Sequence, residues 1–256
     1  MSLALAHETL GSGEPLLILH GLFGSKRNWM SLVRPLSAFA RVIAVDLRNH
    51  GDSPHVPAMG YHDMALDVLA LCDQLGLERV NIAGHSMGGK VAMIFALDHP
   101  ERTRRLMVLD VAPVRYDSGF DRYVAAMQSL PLESIRSRRE AEASLAAAVP
   151  DPATRQFLLH NLVRDGESFR WRINLGAIAA NLAGLGDFPA TEHTWNGPAR
   201  FVAGGRADYL RPEHAPAIRR LFPAATMHTI EDAGHWLHAD RPEAVIAQFR
   251  EFLAGG

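Results

Sequence analysis

Residues 80–90 read Val-Asn-Ile-Ala-Gly-His-Ser-Met-Gly-Gly-Lys, and no other stretch of the chain restricts its fold as tightly. An apolar run of strand character stops at Gly84, and a helical pattern opens just beyond it. A chain that turns from strand to helix within so few residues brings two backbones close together. That leaves no room for a Cβ two positions on either side of the apex. Gly84 and Gly88 in Gly84-His85-Ser86-Met87-Gly88 meet the requirement and put Ser86 at the apex. G-x-S-x-G alone is a weak pattern; between a strand and a helix it is a strong one.

The rest of the chain supplies the sheet such a turn needs. Leu16–His20, Arg41–Asp46, Val80–Gly84 and Arg105–Val111 are near-continuous apolar runs, each ended by glycine or a polar residue, as in strands buried on both faces. Tyr61, Met64, Ala65, Val68, Cys72 and Leu75 form a stripe at helical spacing, which makes Cys72 a core residue. Alternation resumes with a strand at Pro198–Ala203, a helix at Pro212–Leu221, a strand at Ala225–Ile230 and a helix at Arg241–Leu253. Asp240 with Glu243 reads as a capping box and Pro242 as a first-turn proline. The expectation is an α/β chain with a mostly parallel, doubly wound central sheet flanked by helices. Residues 113–196 break the rhythm, being rich in Ala, Arg and Glu, punctuated by prolines and without a clear strand. We expect a helical cap there, inserted into a core built from residues 1–112 and 197–256.

Charge and cysteine content exclude several classes. A formal net charge of −2 gives no global basic field for nucleic acid or anionic lipid. The single cysteine cannot form an intramolecular disulfide or a Cys-rich zinc site, and no metal is expected. The N-terminal MSLALAHETLGSGEP lacks the features of a secretory signal, and no apolar run reaches the ~20 residues of a membrane span. The expected address is cytoplasmic.

A serine on a strand-to-helix turn is a candidate nucleophile, and it needs a base to take its proton. Of thirteen histidines, His235 in Asp232-Ala-Gly-His-Trp-Leu-His lies between the last strand and the closing helix, where that base belongs. His238 is expected to be structural. Two N–H donors are needed where negative charge develops on the attacked carbonyl. Met87, directly after the serine, is one; Leu22, in His20-Gly21-Leu22-Phe23-Gly24 after an early strand, is the other, with Phe23 as its alternative. His20 and Gly21 shape that loop. Asp46, Arg48 and Asn49 are expected to anchor another.

The phrases HGLFGSKRNW, AVDLRNHGDSPH, GHSMGGKVAM, LMVLDVAPV and AGHWLHADRP, in this order, resemble the α/β-hydrolase superfamily across nearly the whole chain. More narrowly they resemble the abhydrolase-domain-containing-eleven type and its small bacterial esterase relatives. The resemblance implies a helical cap over the site, no cofactor, and hydrolysis of short-chain acyl esters or thioesters by an acyl-serine route. The partner is then a small-molecule ester.

Two carboxylates compete to be the acid behind His235. Asp208 stands after a late strand, where most of the superfamily keeps its acid; Asp110 ends the strand after Ser86, where the subgroup resemblance puts it. Phe23, Met30, Tyr116, Trp171 and Trp236, with Met87, are candidate pocket walls. The same constellation suits a thioesterase, C–C hydrolase or perhydrolase. A non-catalytic ligand-binding homologue is the rival from another class, and a dehalogenase is disfavoured because it needs a carboxylate in place of Ser86.

Overall fold

The computed structural model describes residues 2–117 and 119–255. Nine strands are present among them: β1 (His7–Leu10), β2 (Pro15–Leu19), β3 (Arg41–Val45), β4 (Val80–His85), β5 (Thr103–Leu109), β6 (Leu162–Asp165), β7 (Ser168–Trp171), β8 (Ala199–Gly204) and β9 (Ala225–Ile230). The helices are α1 (Met30–Leu36), α2 (Tyr61–Gln74), α3 (Met87–Asp98), α4 (Phe120–Gln128), α5 (Arg138–Leu145), α6 (Pro152–Leu159), α7 (Leu175–Gly186), α8 (Ala215–Leu221), α9 (Leu237–Asp240) and α10 (Pro242–Ala254). Seven strands make one sheet in the order β1-β3-β2-β4-β5-β8-β9, parallel throughout except for β1. The strand–helix alternation anticipates this mostly parallel sheet, and the architecture is the α/β-hydrolase fold that the resemblance implies.

Side-chain alternation on β2 explains why both sheet faces are covered. Leu17 and Leu19 enter the cluster that holds α2 and α3, while Leu16 and Ile18 enter the one that holds α1 and α10. All four are essentially unexposed. Burying each such side chain stabilises the fold by about 1.5–3 kcal/mol. β4 and β8 are buried at every position, whereas the edge strand β9 is only half covered. Cys72 is buried on α2, as its stripe requires.

One strand is added to the expected set, and two local expectations are corrected. β1 is an antiparallel edge strand whose residues HETL, three half-exposed and Thr9 exposed, carry no apolar run. The segment between β5 and β8 holds helices α4–α7, but it also contains the hairpin β6–β7. Its two-residue turn is Gly166-Glu167, with glycine at the first central position and φ +61. Asp240 does not cap α10: Arg241 occupies that position, and the Asp240 carboxylate accepts the Gly234 N–H at 2.7 Å. Pro242 does sit in the first turn. No helix among the described residues is long and apolar enough to cross a membrane.

Candidate active site

Ser86 stands between β4 and α3 with φ +51 and ψ −120, a conformation that side chains other than glycine rarely adopt. The turn is tight enough to dictate its neighbours. A Cβ on Gly84 would fall on the Gly88 carbonyl, and one on Gly88 would lie 2.5 Å from the His20 carbonyl oxygen. Among the described residues, four non-glycine ones have positive φ: Phe23, Asn49, Ser86 and Asp110. They follow the carboxyl ends of β2, β3, β4 and β5 respectively, so the strain is gathered at one edge of the sheet.

The same edge brings His235 and Asp110 together, although 125 positions separate them. His235 Nδ1 lies 2.8 Å from Asp110 Oδ2. Asp110 is itself fixed: its N–H donates to the Val202 carbonyl at 2.8 Å, and its Oδ1 accepts the Gly204 N–H at 3.0 Å. Burial lowers the His235 imidazole to about 4, so the ring is neutral, as a proton acceptor must be. Burial raises Asp110 while the Gly204 N–H opposes it. The Tyr209 ring stacks on His235 at 3.9 Å, and the His85 Nε2–H donates to the His235 carbonyl at 2.7 Å. Asp208 does not join this group. Its carboxylate is 86% exposed and pairs with Arg211 at 3.4 Å.

Around the serine, the loop after β2 is held by two neutral histidines. His20 Nδ1–H donates to the Gly21 carbonyl and its Nε2 accepts the Leu47 N–H at 3.0 Å. His50 Nδ1–H donates to the Arg48 carbonyl, leaving Nε2 to accept the Phe23 N–H at 3.2 Å; burial lowers this ring to about 3. The Phe23 N–H is therefore spoken for. Leu22 and Met87 N–H groups have no acceptor among the described residues, and both residues line a cavity that opens on Ser86. Asp46, Arg48 and Asn49 act as anchors: Asp46 takes Lys26, Arg48 grips Asp67 through Nε and Nη2 at 2.7 and 2.9 Å, and Asn49 accepts the Val56 N–H.

Ser86, His235, Phe23 and Trp236 line one cleft, with Phe120 and Phe157 from the segment above it. Tyr116 lines the second cavity, where its hydroxyl donates to the Tyr209 carbonyl and accepts the Ala112 N–H. Met30 and Trp171 are not walls. Met30 packs, half-buried, against the cluster that holds α1 and α10 and lines neither cavity. Trp171 is turned under α4 by its strand and donates its indole N–H to the Met127 carbonyl at 3.1 Å. The sequence reading missed Phe120, Tyr123 and Phe157, which are apolar positions of short amphipathic helices and carry no motif. His238 is buried and stacked on Trp29. Among the described residues no cluster of His, Cys, Asp or Glu is arranged to hold a metal ion.

Comparison with known proteins identifies the family. The profile of a family described as "alpha/beta hydrolase fold" matches residues 14–242. The sn-1-specific diacylglycerol lipase ABHD11 of Mus musculus is 42% identical over 247 residues, covering 93% of this chain and 80% of its own length. Esterase YbfF of Escherichia coli is 35% identical over 246 residues, covering 94% of each chain. Among solved structures, a marine microorganism esterase superposes with a TM-score of 0.95 at 39% identity, over 98% of this chain and all of its own.

Proposed function

The chain belongs to the α/β-hydrolase-fold family, and from that premise we propose that it is a serine carboxylesterase cleaving short-chain acyl esters through an acyl-serine intermediate. The observation that carries the reading is the 2.8 Å contact between His235 and Asp110 in the cleft that Ser86 enters from its elbow. Asp110 accepting from Nδ1 leaves Nε2 free to take the Ser86 proton. Ser86 Oγ attacks the ester carbonyl, and the oxyanion is held by the N–H groups of Leu22 and Met87. His235 then gives its proton to the departing alkoxide, and a water, activated by the same imidazole, releases the acid. Asp110 stays ionised and stabilises the imidazolium that forms twice in the cycle.

The relatives at 35–42% identity, an esterase and a diacylglycerol lipase, support ester hydrolysis over the thioesterase, C–C hydrolase and perhydrolase alternatives. The aromatic walls Phe23, Phe120, Phe157 and Trp236 favour a short acyl group over a long lipid chain. The segment 113–196 acts as the cap that brings two of those walls over the serine. The test is Ser86→Ala. It is expected to abolish p-nitrophenyl acetate turnover and fluorophosphonate labelling while leaving the circular dichroism spectrum unchanged. Undiminished labelling of that variant would remove Ser86 as nucleophile, and with it the mechanism.

A further inference from the structure

Next to the nucleophile lies a charge that ester hydrolysis does not need. Lys90 is on α3 one turn beyond Ser86, its N–H bonded to the Ser86 carbonyl at 3.1 Å. The residue is 2% exposed. Its Nζ donates to the carbonyl oxygens of Gly186 at 3.0 Å and Asp187 at 2.7 Å. It also lies 4.9 Å from the centre of the Tyr116 ring and 5.7 Å from that of Tyr61. An ammonium has three donors, and two are used. No carboxylate among the described residues forms an ion pair with it.

Burying an ammonium without a counter-ion is costly, and proteins ordinarily pair such groups. Two carbonyl dipoles and two ring faces make a cation tolerable, but they do not neutralise it. Burial accordingly lowers Lys90 to about 7, with the more distant Asp187 charge opposing. A buried lysine elsewhere in the molecule, Lys26, has the opposite arrangement: it meets both Asp46 and Asp52. The contrast matters because Lys90 lines the same cavity as Ser86, Leu22 and Met87, where one end of a bound ester must lie. Of the remaining walls Val111, Phe120 and Leu185 are apolar, Tyr61, Tyr116 and Tyr209 are neutral phenols, and none is a carboxylate.

We infer that this cavity takes an acyl chain ending in a carboxylate, with Lys90 as its counter-ion, so that the preferred substrates are monoesters of short dicarboxylic acids. The inference rests on the serine-esterase reading above. It makes Lys90 a specificity-determining residue, remote from the reacting bonds, that selects the tail of the acyl group while Leu22 and Met87 hold its carbonyl. A charge-assisted hydrogen bond in a water-poor cavity discriminates strongly against an isostere that lacks the charge.

The test compares monomethyl succinate with methyl 4-methylpentanoate, in which an isopropyl group replaces the carboxylate at similar shape. Hydrolysis is followed by pH-stat at pH 6.5. The wild-type kcat/KM ratio, charged over neutral, is expected to be tenfold or more. In K90M, where a neutral chain of similar length replaces the ammonium, the ratio is expected to fall at least tenfold. A lysine that only braced α3 against the end of α7 would change both substrates alike. An unchanged ratio in K90M therefore overturns the inference. So does a wild-type ratio of one or less, which needs no variant to fold; with the neutral ester still hydrolysed, the esterase reading survives. If neither methyl ester nor p-nitrophenyl acetate is turned over, the inference falls together with the reading beneath it.

Discussion

Replacing Asp110 by Asn tests the site most sharply, because shape is kept while one charge is lost. In the proposed mechanism an ionised Asp110 Oδ2 accepts from His235 Nδ1, 2.8 Å away, which leaves Nε2 as the base. An Asn in that place can turn its NH₂ toward Nδ1 while its oxygen still accepts the Gly204 N–H, as Oδ1 does now at 3.0 Å. Nδ1 then becomes the acceptor, the proton moves to Nε2, and the ring presents a donor where Ser86 needs a base. Losing the correct tautomer and the charge opposite the imidazolium lowers kcat by up to ~10⁴-fold, or about 5 kcal/mol of barrier. Asp208→Asn removes only an exposed carboxylate paired with a half-exposed Arg211, and such pairs contribute little. Its kcat is expected to stay within about twofold of wild type. Both are read from p-nitrophenyl acetate turnover, with thermal melts to verify folding. A deeper loss in Asp208→Asn than in Asp110→Asn would refute the reasoning, as would an Asp110→Asn variant within tenfold of wild type.

Other outcomes follow from the walls and the core. Across p-nitrophenyl esters from acetate to palmitate, kcat/KM is expected to peak between two and about eight carbons, since sites of this kind hold only ~300–1,000 Å³; equal rates for butyryl and palmitoyl esters would remove the aromatic walls as the limit. The Cys72 thiol, raised to about 12 by burial, is expected to stay protonated and resist alkylation by iodoacetamide at pH 8 until the protein is denatured. Rapid modification of the native protein would mean that α2 opens far more readily than its packing implies.

The central strands were readable because burial on both faces writes itself as continuous apolar runs, as in Leu16–Leu19 and Val80–Gly84. β1 was not readable, since an edge strand covered on one side needs no such run. Ser86 and His235 could be placed from chain order, because a strand-to-helix turn and the loop after a last strand are local features. The choice between Asp110 and Asp208 was not local. Both follow strands, and only the pairing of β5 with β8 puts the Gly204 N–H and His235 against the first and leaves the second facing water. Met30 and Trp171 failed as pocket walls for a related reason: their orientation depends on how α1 and β7 rotate against their neighbours, which apolar character does not report. Lys90 was visible as a letter in GHSMGGK, but its lack of a counter-ion is a property of the folded surroundings alone.

The left-handed residues after β2, β3, β4 and β5 set stability against activity. Each such conformation costs on the order of 1–3 kcal/mol in a side-chain-bearing residue and almost nothing in glycine. Ser86 and Asp110 cannot make that exchange without losing the hydroxyl or the carboxylate. Random substitution screened only for heat resistance would thus be drawn toward glycine at the very positions that the proposed chemistry must hold. The strained edge of the sheet is where this protein is least free to become sturdier, and thermostabilising changes belong in the helices and on the far side of the sheet.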